Sequence, residues 1–266
     1  MKVYIQVDSE GQACVTREPN PETVYGTFQA EYNRRRATEE TSAAVHGARD
    51  AGATDIIVHD AGFIRGHTPG GLTLHYDDLP PGIRIALGRM KPSVRAAKGC
   101  DAAILLGKHA MAGVADGVMA HTGSSANTEA VYLNGELIGE IGLAAISLGA
   151  MGVPIVMVAG DGAGCREAEQ WIEDLELAPV KEGLNKHGAI SLHPHDACEL
   201  IRAQTGKALR RLHEFKPVRR DGPFELRVDY FTAEQADVKA EQAGDRRIGE
   251  RSTIRHANTA AELFRH

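Results

Sequence analysis

The chain has 266 residues, 42% of them hydrophobic and 25% charged, which places it among globular proteins and excludes a disordered, collagen-like or disulfide-scaffold chain. That length suits one large α/β domain, or a core with a smaller second lobe. With 30 Lys and Arg against 36 Asp and Glu, the net charge is −6, so no overall field draws the chain to nucleic acid or to an anionic membrane.

Val3, Ile5 and Val7 alternate with polar or half-polar neighbours and predict a strand over 2–7 that ends in a glycine-containing loop. A helix is expected over 26–50, stopped at Gly52. The apolar runs at 55–59 (DIIVH), 102–106 (AAILL) and 154–158 (PIVMV) read as strands buried on both faces, hence a parallel sheet under helices. Asn134-Gly135 marks a tight turn, because both residues tolerate positive φ. Ile141, Ala144, Ala145, Leu148 and Met151 then form the stripe of a helix over 140–151, which Pro154 terminates. Further helices are expected over 163–176 and 194–213, a strand over 224–230, and helices over 231–242 and 256–265. A Pro-, Gly- and Arg-rich stretch at 215–223 divides an α/β core, 1–214, from a C-terminal α+β portion, 215–266. The expected fold is therefore α/β, a mostly parallel central sheet flanked by helices with a smaller C-terminal α+β portion.

Cys14, Cys100, Cys165 and Cys198 show no CxxC spacing and no zinc-finger pairing with His, which fits a reducing cytoplasm. The N-terminal run meets Asp8 and Glu10 too early for a signal peptide, and the longest apolar stretch, 141–159, is broken by Ser147, Gly149, Gly152 and Pro154. A soluble, cytoplasmic protein is expected.

Chemistry-bearing residues gather at the ends of the predicted strands. Asp8 and Glu10 follow the first strand, and their i, i+2 spacing projects both carboxylates to one side of the sheet's carboxyl edge. Paired carboxylates repel unless a cation or proton separates them, although a solvated loop is the commoner setting for such a pair. Asp60 ends a second strand, where a capping or turn role is the plainer reading, and alternation turns His59 to the opposite face. His109 ends a third strand and His121 follows in VMAH; imidazole suits zinc, and a second imidazole serves as acid or base near neutral pH. Glu140 opens the striped helix, where the helix dipole alone explains a carboxylate. If that helix start abuts the sheet edge, Asp8, Glu10, His109 and Glu140 make a cage for one or two zinc ions.

Taken together, VDSEG at 7–11, VHDAG at 58–62, LLGKHA at 105–110, VMAH at 118–121 and NGELIGEIGLAA at 134–145 resemble, in order and spacing, the M55 peptidase family of zinc-dependent D-aminopeptidases. The resemblance covers most of the chain and is most specific before residue 165. It implies a metallo-hydrolase with a dinuclear zinc centre, built as stacked rings of subunits, a decamer, with small amide or short peptide substrates. By position, Asp8, Glu10, His109 and Glu140 match metal ligands and His121 matches the catalytic His, a proton shuttle for metal-activated water. The family's further metal-binding His falls at Gly62, which cannot ligate. Either His67 replaces it or one zinc site is weakened, and the departure leaves room for a non-peptide small amide as substrate. Ala144 stands where the family usually has Asn.

Two other readings stand beside this one. The glycine loop at 158–165 (VAGDGAGC) follows a strand and precedes a helix, as in nucleotide- or phosphate-binding proteins, although its spacing is GxGxG and Asp161 is ill placed for phosphate. A non-catalytic relative with a degenerate metal site is the other. The run Arg34–Arg36 ahead of Glu39-Glu40 reads as a salt-bridged helix face.

Overall fold

The computed structural model describes residues 1–17, 28–62, 73–88, 90 and 93–264. The chain opens with β1 (Lys2–Val7), crosses through α1 (Phe28–Asp50) to β2 (Asp55–Asp60), and continues through a short β3 (Arg84–Ala86) to β4 (Ala102–Lys108). Strands β5 (Thr128–Leu133) and β6 (Glu136–Leu137) form the hairpin announced by Asn134-Gly135, which take φ of 51° and 83°. Next come α2 (Glu140–Ala150), β7 (Ile155–Asp161), α3 (Gly162–Trp171), β8 (Glu176–Asn185), β9 (Gly188–Ser191) and α4 (Pro194–Arg210). The chain ends with β10 (Phe224–Tyr230), α5 (Ala233–Ala243), β11 (Arg246–Arg247), β12 (Ser252–Ala257) and α6 (Ala260–Leu263).

The main sheet has the order β3-β2-β1-β4-β7-β8-β9; it is parallel except for β9, which returns antiparallel along β8. A second, antiparallel sheet has the order β11-β12-β10-β5-β6, so it draws strands from both sides of residue 215. The mixed α/β expectation with a mostly parallel central sheet holds. Alternation along β1 shows why that sheet is buried on both faces: Val3, Ile5 and Val7 pack with α1 and α4, whereas Tyr4 joins the layer containing α2. Gly47 lets α1 and α4 approach backbone to backbone, since a Cβ there would lie 3.0 Å from Thr205 Cβ and nearer still to the Arg202 carbonyl.

Several boundaries differ from expectation. The helix predicted over 163–176 stops at Trp171, because Glu176 opens β8 opposite Met157 of β7. The helix predicted over 194–213 ends at Arg210, and that over 256–265 begins instead as the end of β12, which pairs with β10 through Ala257, so that among its described residues Ala260–Leu263 are helical. Residues 26 and 27 of the first predicted helix lie outside the described residues. The four cysteines are free, and no described helix is long and apolar enough to cross a membrane.

Strand β1 is the point where the strand order reverses, with β2 on one side and β4 on the other. The carboxyl ends of β1 and β4 therefore flank this switch point, the usual ligand position in a sheet of this kind.

Candidate active site and metal centre

Asp8 and Glu10 leave the end of β1, Lys108 and His109 the end of β4, and Glu140 begins α2; these side chains converge on one point with His121. His109 Nδ1 meets the Ala110 carbonyl at 3.0 Å and therefore carries the proton. Its Nε2 then presents a lone pair 3.9 Å from both Asp8 Oδ2 and Glu140 Oε2. That nitrogen is buried and has no hydrogen-bond partner. His121 is held the same way, Nδ1 to the Met119 carbonyl at 2.9 Å, with its Nε2 3.7 Å from Glu140 Oε1. The two imidazoles stack at 4.1 Å, 15° from parallel. Met119 takes φ of 53°, a left-handed conformation uncommon for a side chain of this kind, and so aims its carbonyl at His121.

Two overlapping donor groups result, Asp8–Glu10–His109 and His109–His121–Glu140. Carboxylate oxygens and a buried, lone-paired imidazole nitrogen are the donors zinc takes at ~2.0–2.2 Å, and a cation at this point gives His109 Nε2 the partner it lacks. The residues present fit the metal. Electrostatics agrees. Burial and then the Asp8 carboxylate push Glu10 well above the usual range. Burial also opposes ionisation of Asp8, but the Lys108 ammonium beside it outweighs that and holds the carboxyl below the range. Burial lowers His109, which keeps the ring neutral and able to ligate.

The loop carrying Asp8 and Glu10 is clamped from behind. The buried Lys181 ammonium on β8 donates to the carbonyls of Glu10 at 2.7 Å, Gln12 at 2.9 Å and Val15 at 2.5 Å. Glu40 on α1 accepts from Ala13 N at 2.7 Å, and Gln12 caps the Asp8 carbonyl. Gly107, at φ of 65°, admits this loop against the end of β4. Glu140 accepts from Gly123 N at 2.8 Å, and Glu167 on α3 accepts from Met111 N at 2.7 Å beside the His109 loop.

Asp60 does not join the cluster. It accepts from Thr73 N at 3.0 Å, from the Thr73 hydroxyl and from Tyr76 Oη at 2.8 Å, which is the turn role. Gly62 lies under the same Thr73, whose Cγ2 and Oγ1 would be 2.7 and 2.9 Å from an added Cβ. His67 lies outside the described residues. His59 points to the other face, with Nδ1 2.6 Å from Tyr4 Oη. The glycine loop after β7 is closed to phosphate: Asp161 caps α3 through Gly164 N at 2.6 Å and also accepts from Val118 N at 2.7 Å, and Gly164 packs against the His109 backbone. Arg34 pairs with Glu31, and Arg35 and Arg36 with Glu39, a salt-bridged face as expected, whereas Glu40 is buried. Nothing in the sequence marks Lys181 or Glu40 as site residues, and Lys108 is not among the residues that the sequence singles out. The one available signal for Lys108 is its position as the last residue of an otherwise apolar strand, next to His109.

The chain matches the M55 peptidase family, described as D-aminopeptidase, over residues 1–266. It belongs to that family. This M55 peptidase is 30% identical over 243 residues to a D-aminopeptidase of Bacillus subtilis (strain 168), covering 89% of this chain and 84% of the relative. The solved structure of the Zn-dependent D-aminopeptidase DppA from Bacillus subtilis, a self-compartmentalizing protease, superposes on it with a TM-score of 0.86 at 26% identity, over 99% of this chain and 94% of that one. The M55 member described here is a peptide-bond hydrolase with an α/β fold shared by that structure.

Proposed function

We propose that this M55 peptidase is a zinc-dependent aminopeptidase that removes the first residue from a short D-aminoacyl peptide or small amide. The observation that carries the reading is His109 Nε2, buried, unpartnered and 3.9 Å from both Asp8 and Glu140. Asp8, Glu10, His109 and Glu140 hold the metal. Zinc, when bound there, supplies a Lewis acid for the scissile carbonyl and makes water nucleophilic near neutral pH. His121 stands outside this set, its Nε2 free to take the proton from the attacking water and return it to the leaving amine. The Met119 carbonyl keeps the proton of the resting ring on Nδ1, and Glu140 steadies the imidazolium that forms. The net charge of −6 is compatible with a substrate that bears a free amine.

Convergence of these ligand types favours an active peptidase over a degenerate relative, and the closed loop at Asp161 disfavours nucleotide binding. The self-compartmentalizing relative supports a homo-oligomer, which we read as stacked rings forming a decamer, in the cytoplasm. Hydrolysis of D-alanyl amide tests the role of His121: His121→Ala lowers turnover by about 10²–10⁴-fold with zinc content unchanged. Turnover equal to that of the wild type removes the shuttle role, and loss of zinc makes His121 a ligand instead.

A further inference from the structure

Lys108 is the residue of this centre that the proposed chemistry leaves without a task. Its side chain is 4% exposed, and its ammonium lies 2.6 Å from Asp8 Oδ2 and 3.7 Å from Glu140 Oε2. Those two carboxylates belong to different donor groups, and both groups depend on the same imidazole, His109. The site thus offers two imidazoles among the described residues, of which His121 is stacked on His109 and turned to Glu140. Among the described residues no further imidazole enters from the Asp60 side: Gly62 has no side chain, and Thr73 fills the space above it while bonding Asp60.

Charge leads to the same count. Among the described residues three carboxylates, Asp8, Glu10 and Glu140, share the two donor groups, and Lys108 already supplies one positive charge among them. One divalent ion balances what remains. Two divalent ions beside a buried ammonium would leave an uncompensated positive charge in a water-poor site, which is strongly unfavourable.

We propose that Lys108 is a built-in cation occupying the place of a second metal ion, so that the centre takes a single zinc, held through His109. This rests on the metallopeptidase reading above, and it makes the site a metal–ammonium pair in which the ammonium is fixed by the chain. Lys108 is a positioning residue here: it holds Asp8 and Glu140 at a set separation whether or not the ion is bound.

Zinc per subunit, measured by elemental analysis after titration with zinc and dialysis against metal-free buffer, tests this without reference to activity. Wild type and Lys108→Arg, which keeps the cation, retain close to one zinc. Lys108→Ala, which removes the charge and opens the space, rises toward two. Circular dichroism establishes that each variant is folded. A folded Lys108→Ala that stays at one zinc overturns the proposal. Two zincs in the wild type overturn it as well, whatever becomes of the variants, yet leave the metallopeptidase reading intact. Wild-type protein that holds no zinc overturns both.

Discussion

Glu40 shows how a single buried carboxyl links the metal-binding loop to pH. Burial pushes it up from 4.5 to about 7, against the pull of the Ala13 N–H and of Lys181. Its folded-state value is raised, so the contribution it makes in neutral form is complete below pH 4.5 and is lost as pH rises through about 7. The slope is at most ~1.4 kcal/mol per pH unit. Glu40→Gln keeps an acceptor for Ala13 N and cannot ionise; its urea midpoint therefore exceeds that of the wild type at about pH 7, and the gap closes toward pH 4.5. A gap equal at both ends of that window contradicts the assignment. At this scale Asp8, Glu10, His109, His121 and Glu140 were legible in the sequence through their co-occurrence: an acid or imidazole at one strand end has a plain structural use, as Asp60 does, but their order together resembles a family pattern. Lys108, Lys181 and Glu40 were not, because Lys and Glu are ordinarily solvated and only three-dimensional packing reveals that these are buried.

At the scale of elements, the strands that carry the site were legible for the opposite reason. The runs at 55–59, 102–106 and 154–158 each hold an unbroken apolar stretch, as strands covered on both faces do, and they fall within β2, β4 and, from residue 155, β7. The β8–β9 hairpin was not read: Glu176, Pro179, Lys181 and Glu182 interrupt any alternation, and the strand is held instead by pairing with β7. The end of β12 likewise carries little local pattern and is fixed by β10. Helix α3 depends on a polar device, since Asp161 is wholly buried and satisfies both Gly164 N and Val118 N. That pair of bonds ties the start of α3 to the segment carrying His121. Asp161→Ala leaves two N–H donors without their acceptor and lowers stability by about 1–3 kcal/mol in urea melts, with Asp161→Asn recovering part of the loss. An unchanged midpoint for Asp161→Ala would remove this tie from the account.

Across the whole molecule, function follows from where the strand order reverses. The switch point at the ends of β1 and β4 receives acids from one loop and an imidazole from the other, α2 adds Glu140, and Lys181 of β8 and Glu40 of α1 brace the loop. Chemistry is thus distributed over residues far apart in sequence, and only the assembled sheet makes a metal centre of them. The most direct measurement of the central claim is the rate of amine release from D-alanyl amide and its L enantiomer, before chelation, after chelation and after zinc is returned. The account predicts hydrolysis of the D substrate in preference to the L, abolished by the chelator and restored by zinc. Hydrolysis that survives complete removal of the metal would contradict it.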